Sequence, residues 1–136
     1  MAEEVIEVLY NRCYGGWGIS EKAIELYKLR NGKYDSFELE YNELCRADPI
    51  LIQVYNELGA DFNGKYSKIK IKKIPKKYEK YYYISEYDGL ECVEIDNTEY
   101  KLDTIYNKIT EILQSTKNNN IKLIEIEEFI LKYKNN

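Results

Sequence analysis

The sequence predicts a mixed α+β fold: a central mixed or antiparallel sheet of about five strands, two helices in the first part of the chain and two C-terminal helices. Three observations predict this class. A β-branched apolar segment lies near the start, Asp48-Pro49 precedes an apolar helical stripe, and Asp88-Gly89 separates two alternating segments. With 136 residues, 44% of them hydrophobic, the chain can bury roughly two thirds of its unfolded surface. We therefore expect a single domain.

The elements of the first part follow from their residue patterns. Residues 5–12 carry apolar side chains on both faces, which is typical of a central strand. A helix is expected over residues 21–30, because Ser20 can cap its first turn and Gly32 follows its last. The alternation of Phe37, Leu39 and Tyr41 predicts a short strand.

The helix after Asp48 has the clearest sequence signals. Asp48 is a favourable N-cap, Pro49 fits the first helical position, and Gly59 can end the helix. The side chains that recur on one face between them are Leu51, Val54, Tyr55 and Leu58. We expect the boundaries of this helix to lie within a residue or two of these signals.

The segment from residue 65 to residue 80 is strongly basic. It holds eight lysines and one glutamate, in a chain whose net charge is −4. Ile69 and Ile71 alternate with lysines, which predicts a half-buried strand whose lysines share one solvated face and protect a sheet edge. Because the chain has only three arginines, we do not expect it to bind a nucleic-acid polymer.

Residues 81–87 and 90–95 form a predicted hairpin, because Asp-Gly is a preferred pair for a two-residue type I′ turn. This register places Glu86 directly opposite Glu91, on the more apolar face of the ribbon. Two facing carboxylates repel each other, so we expect compensation by Arg12, Arg46, a metal ion or a ligand. Alternatively, the hairpin tip extends into solvent, or the pair serves as a general acid and base.

The last part of the chain reads as two helices, over residues 99–116 and 121–134, around an asparagine-rich turn, although the second could begin as a strand. We accordingly divide the chain into a ligand-binding core, residues 1–97, and a helical extension, residues 98–136. The extension would pack on the core or form a subunit contact, and a homo-oligomer, a dimer or larger, is expected.

The composition excludes several classes of protein. Without histidine the chain cannot use Ser-His-Asp or Cys-His catalysis or a histidine-bound zinc. Its three cysteines show no C-x-x-C spacing, which favours reduced thiols. The acidic first residues differ from a signal peptide, and no apolar run suits a membrane span. We expect a cytoplasmic protein with no membrane contact, metal or cofactor.

The segment from Cys13 to Gly18 joins the first strand to the first helix through a glycine pair. Free N–H groups and the helix dipole at such a junction favour an anion, although the spacing is that of neither a P-loop nor a dinucleotide-binding loop. The alternative is a tight turn in which Trp17 covers the core. Arg46 likewise has two interpretations, a salt bridge or the recognition of a phosphate or carboxylate.

Three motifs, NRCYGGWGIS, RADPILIQVYNELG and SEYDGLECV, together resemble a family of short, mostly uncharacterised proteins of bacteriophages and bacteria. The resemblance covers roughly residues 4–95. Trp17 departs from it, since phenylalanine is usual there, and so does the extension after about residue 99. The family supplies no established activity, but the resemblance implies a phage setting and therefore the cytoplasm of a host cell.

In that setting we expect a non-catalytic sponge that sequesters a nucleotide-derived immune signal, either a cyclic oligonucleotide or an ADP-ribose derivative. The glycine pair, the helix start and Arg46 would hold phosphate, aromatic side chains would stack on a base, and carboxylates would accept donors of the ligand. The alternatives are a protein inhibitor with a tyrosine-rich surface and a small carboxylate-dependent hydrolase. The candidate ligand-binding residues are Arg12, Cys13, Tyr14, Gly15, Gly16, Trp17, Ser20, Arg46, Glu86, Tyr87, Asp88 and Glu91.

Overall fold

In the computed structural model, which describes residues 3–135, helices and strands mix in the order β1 (Val5–Asn11), α1 (Glu21–Leu29), α2 (Ser36–Tyr41), α3 (Pro49–Leu58), β2 (Ile69–Pro75), β3 (Tyr82–Tyr87), β4 (Leu90–Ile95), α4 (Asn97–Gln114) and α5 (Asn119–Lys134). Short 3-10 turns connect several of them. The α+β class is confirmed. The chain divides into two compact units, one ending at Ile95 and the other beginning at Asp96.

The first unit contains two separate two-stranded antiparallel sheets, β1–β2 and β3–β4. The expectation of a single sheet of about five strands is therefore corrected, because the described residues form four strands in two sheets. In the first sheet Leu9 pairs with Ile71 and Val8 with Lys72. Because successive side chains point to opposite faces, Leu9 and Val8 enter different cores.

The larger core lies between one face of the first sheet and helices α1, α2 and α3. It contains Leu9, Tyr27 from α1, Val54 from α3 and Phe62, all fully buried. The predicted caps are present, since the Ser20 hydroxyl accepts the Ala23 N–H and the Asp48 carboxylate accepts the Ile50 N–H. The smaller core joins the other face of the first sheet to the hairpin through Val8, Ile74 and Ile84.

The strand predicted over residues 37–41 is a helix, α2. Asp35 and Glu38 form a capping box, in which each carboxylate accepts the backbone N–H of the other residue. Leu39 is buried while Phe37 and Tyr41 are exposed, and the two rings lie 4.8 Å apart. Residues four apart share a helix face, so the alternation that predicted a strand also fits one helical turn.

The hairpin is confirmed residue by residue. Tyr87 pairs with Leu90, Glu86 with Glu91 and Ser85 with Cys92. Asp88 and Gly89 both have positive φ, 50° and 89°, as the type I′ turn requires.

The second unit consists of α4 and α5, joined by a short turn that ends at Asn118. The Asp96 carboxylate caps α4 and the Asn118 side chain caps α5. The segment that could have begun as a strand is helical from Asn119 onwards. Among residues 3–135, no helix combines the length and the apolar character needed to cross a bilayer.

Candidate functional site

A buried ion pair joins Arg46, which precedes α3, to Glu91 on β4. The guanidinium Nη1 lies 2.8 Å from Oε1 and Nη2 lies 3.0 Å from Oε2, a bidentate geometry that fixes both planes. Arg46 is 4% exposed and Glu91 is 5% exposed. Arg46 is thus the partner that compensates Glu91.

Trp17 covers one face of this ion pair. The centre of the Arg46 guanidinium lies 3.6 Å from the centroid of the Trp17 ring, a stacked cation–π contact. The indole N–H donates to the carbonyl oxygen of Leu39 at 3.0 Å. Trp17 therefore holds the glycine loop against Arg46.

Asn11, at the end of β1, connects the glycine loop and the hairpin tip to the same network. Its backbone N–H donates to Glu91 at 2.7 Å, and its side-chain amide donates to the carbonyl oxygens of Cys13 and Gly89. Its side-chain oxygen accepts the Lys68 N–H at 2.8 Å. Because Asn11 is completely buried, the positions of the glycine loop, the hairpin tip and the start of the lysine strand depend on one side chain. The candidate ligand-binding residues predicted from the sequence do not include Asn11, although the motif NRCYGGWGIS begins with it.

The backbones of the glycine loop and the hairpin tip are in direct contact. A Cβ atom on Gly89 would lie 2.6 Å from the Gly16 nitrogen and still closer to the Tyr14 carbonyl oxygen. Gly15 packs even more closely on the backbone of Tyr66. The glycine loop is therefore a close-packed turn, and its neighbour Tyr66 was not anticipated from the sequence.

The two facing glutamates do not share a site. Glu91 is paired with Arg46, whereas Glu86 is exposed and accepts the Gly89 N–H within its own turn. Each carboxylate thus has a separate partner. A general acid or base must reach a proton of the substrate, and both oxygens of the buried Glu91 are instead engaged by Arg46.

The side chains at the meeting of loop and hairpin form what we call the loop–tip surface. Its three aromatic side chains are largely exposed: Tyr14 (65%), Tyr66 (68%) and Tyr87 (78%). Glu86 and Asp88 add two exposed carboxylates. The surface therefore offers ring faces and hydrogen-bond acceptors to a ligand.

Beside the loop–tip surface lies a groove of about 340 Å³, which we call the basic groove. It is lined by Tyr10, Arg12, Lys72, Cys92, Val93 and Glu94. Lys72 comes from the lysine strand, and Tyr10 and Lys72 lie on the same face of the first sheet. The sequence predicted Arg12 as a site residue but neither Tyr10 nor Lys72. These two residues come together only through the pairing of β1 with β2, which no local pattern predicts.

Arg12 borders both surfaces. Its guanidinium Nη1 lies 4.0 Å from the Cys92 sulfur in the basic groove, and its backbone leads directly into the glycine loop. Among residues 3–135, no carboxylate forms a salt bridge with Arg12. Arg12 is exposed, so its donors are available to an anion.

Two further candidates have local structural partners. The Ser20 hydroxyl donates to the carbonyl oxygen of Asp61 at 2.6 Å and caps α1. The Cys13 thiol lies 3.3 Å from the Asn11 side-chain oxygen and 3.2 Å from the Tyr66 carbonyl oxygen. Both groups thus stabilise the ends of the glycine loop.

Three groups in or beside the two cores have raised pKa values. Burial raises the pKa of the Cys45 thiol to about 11, and burial together with a hydrogen bond to Asp48 raises the pKa of Tyr27. Burial also raises the pKa of Tyr82. Each shift favours the neutral form, which is the opposite of nucleophile activation.

Within residues 3–135, no group of three or more histidine, cysteine, aspartate or glutamate side chains is arranged so that it could hold a metal ion.

Fold and site define a class: a small α+β protein whose buried polar network supports an exposed tyrosine surface and a neighbouring basic groove. No protein family and no solved structure matches the chain. Botulinum neurotoxin type F of Clostridium botulinum (strain Langeland / NCTC 10281 / Type F) is 36% identical over 66 residues, 46% of this chain and 5% of the toxin. So short a share of the toxin's length assigns no family.

Proposed function

We propose that the first unit binds a nucleotide-type small molecule and releases it unchanged, as a sponge for a nucleotide-derived immune signal, either a cyclic oligonucleotide or an ADP-ribose derivative. The observation that carries this proposal is the position of Arg12, an exposed guanidinium with no carboxylate partner among residues 3–135, between the loop–tip surface and the basic groove. A nucleotide carries phosphate groups and an aromatic base. An exposed guanidinium next to tyrosine rings can therefore bind both parts of it.

Phosphate binding is assigned to Arg12 and Lys72, because Arg46 is buried and both of its terminal nitrogens are paired with Glu91. An exposed guanidinium can form two parallel hydrogen bonds to a phosphate. Lys72 lines the same groove and adds a second positive charge. The buried network positions this site by fixing the residues on both sides of Arg12.

Base and sugar recognition is assigned to the loop–tip surface. Tyr14 or Tyr87 would stack on a base, which contributes about 1–3 kcal/mol for each stacked base. Glu86 and Asp88 would accept hydrogen bonds from ribose hydroxyls or a base amino group. Gly16, which has no atom within 4 Å of its Cβ position, would let the backbone approach the ligand closely.

Binding without reaction is favoured by the state of the possible catalytic groups. Glu91 is neutralised by Arg46, and Glu86 is engaged in the turn. Burial raises the pKa of the Cys45 thiol to about 11, so this thiol is protonated near neutral pH. These features favour a sponge over a carboxylate-dependent hydrolase.

A second candidate function, direct inhibition of a host enzyme, is favoured by the amount of exposed aromatic surface. Phe37 and Tyr41 on α2 are 70% and 66% exposed, in addition to the tyrosines of the loop–tip surface. Tyrosine and phenylalanine are enriched where proteins bind one another. An inhibitor would need no nucleotide.

Isothermal titration calorimetry with ADP-ribose and with cyclic di-AMP tests the proposal. We expect at least one of them to bind and to be recovered unchanged by chromatography after denaturation of the complex. Arg12→Ala should weaken binding at least about 10-fold, since a charge-assisted hydrogen bond contributes about 1.5–3 kcal/mol.

Arg30→Ala is the matched control, because Arg30 is also on the surface but pairs with Glu57 at 2.6 Å. This variant should bind as tightly as the original chain. A recovered ligand that has been cleaved would indicate a hydrolase. Equal weakening by both substitutions, or no binding of either nucleotide, would contradict the proposal, and in the second case purification with host lysate would test the inhibitor.

A further inference from the structure

Helix α4 carries an apolar stripe that is largely exposed. Leu102, Tyr106 and Leu113 are all exposed, and half-buried Ile109 lies between them. The spacings of four, three and four residues place these side chains along one face. Such a stripe is typical of a helix that packs against a further helix.

Helix α5 is apolar on more than one face. Phe129 and Ile126 are partly covered, whereas the exposed large apolar side chains are Ile121, Leu123, Ile124, Ile130 and Leu131. None of the described side chains of α5 is buried. Apolar side chains on more than one face of a helix need more than one packing partner.

The contact between α4 and α5 cannot supply a core by itself. Ile112 is the only buried side chain described in the two helices. Units of about 40 residues bury too little surface to be stable without disulfides, metals or association. The helix pair therefore requires another layer.

We propose that this layer is the helix pair of a second copy of the chain, which would form a four-helix bundle about a two-fold axis. The helices have similar lengths, 18 and 16 residues, so two pairs can align side by side. Residues 96–136 hold seven acids and six lysines, a net charge of −1, so electrostatic repulsion between two copies is weak.

The exposed apolar area matches what a stable dimer requires. Eight large apolar side chains of α4 and α5 are exposed. If each contributes roughly 100 Å², the eight together set an upper bound of about 800 Å² per copy, which is comparable to the share of one partner in a standard interface. A shallow apolar depression of about 220 Å³, lined by Ile105, Phe129, Ile130, Tyr133 and Lys134, can receive a side chain of the partner copy.

Size-exclusion chromatography with light scattering on the full chain tests this inference. We expect twice the 16.2 kDa mass of one chain. The variant with Leu113→Glu and Ile124→Glu should have the single-chain mass, with the dimer dissociation constant raised at least about 100-fold, because unpaired charges buried in an interface are strongly unfavourable. Circular dichroism checks that the variant keeps its helices.

Leu29→Glu is the matched control, since Leu29 is exposed on α1 in the first unit. This substitution also places a glutamate at an exposed leucine and should leave the dimer intact. A single-chain mass at millimolar concentration would overturn the inference. So would a dimer that survives the double substitution or dissociates with Leu29→Glu. None of these outcomes depends on nucleotide binding.

Discussion

Arg46 and Glu91 show how a buried charge is made tolerable. Removing two charges from water costs several kcal/mol for each, and the attraction between them repays this only when the remaining hydrogen-bonding groups are satisfied. Glu91 also accepts the Asn11 N–H, and Arg46 is covered by Trp17. No buried side-chain nitrogen or oxygen among residues 3–135 lacks a partner. The pair and its contacts therefore align four segments, namely the segment before α3, β4, the end of β1 and the glycine loop. They do not provide a large net stabilisation.

Arg46→Ala should destabilise the fold by about 3–5 kcal/mol, because it leaves the Glu91 carboxylate buried without a countercharge. Urea unfolding followed by circular dichroism measures the loss. The double variant Arg46→Met with Glu91→Leu is the control, since it removes both charges and should recover much of the stability. A loss below about 1 kcal/mol in Arg46→Ala would show that Glu91 is not buried in solution.

At the scale of residues, the sequence predicts that the facing glutamates need a positively charged partner. It does not predict which arginine supplies the charge. The facing glutamates follow from the turn register alone, and Arg12 and Arg46 were both possible partners. The choice between them depends on how the segment before α3 packs on β4, residues that are 45 positions apart. No local pattern contains that information.

The glycine loop and the hairpin form one unit at the scale of elements, because their backbones touch. Gly89→Ala should cost at least about 2 kcal/mol, since its φ of 89° is unfavourable for alanine and its Cβ would collide with Tyr14. Thermal unfolding measures this cost.

Gly16→Ala separates the two causes. Gly16 has nearly the same φ, 88°, but no atom within 4 Å of its Cβ position. We expect a loss of about 1 kcal/mol from backbone strain alone. If both alanine variants lose the same stability, the loop and the hairpin tip are not in contact.

Elements defined by local signals could be predicted, and elements defined by distant contacts could not. The Asp48 cap and the Asp88-Gly89 turn place α3 and the hairpin correctly. Residues 37–41 are too few to distinguish a strand from one helical turn by apolar spacing. The pairing of β1 with β2, and with it the basic groove, joins segments separated by more than 50 residues.

For the whole molecule, the first unit contains both clusters of buried apolar side chains. A chain that ends at Ile95 should therefore fold and unfold cooperatively, with the urea midpoint of the first unit largely retained. Nuclear magnetic resonance shows whether its amide signals stay dispersed. Collapse of the dispersion in the shortened chain would mean that the first unit requires residues 96–136 for its fold.

The position of β1 has a consequence for synthesis on the ribosome. Both of its faces are covered, by the larger core and by the hairpin, yet its partner β2 begins 58 residues after β1 ends. At about 5–20 residues per second, translation takes on the order of 3–12 seconds to span that interval. During this interval β1 remains an unpaired apolar segment, so nascent chains should be most prone to aggregation before residue 69 has emerged.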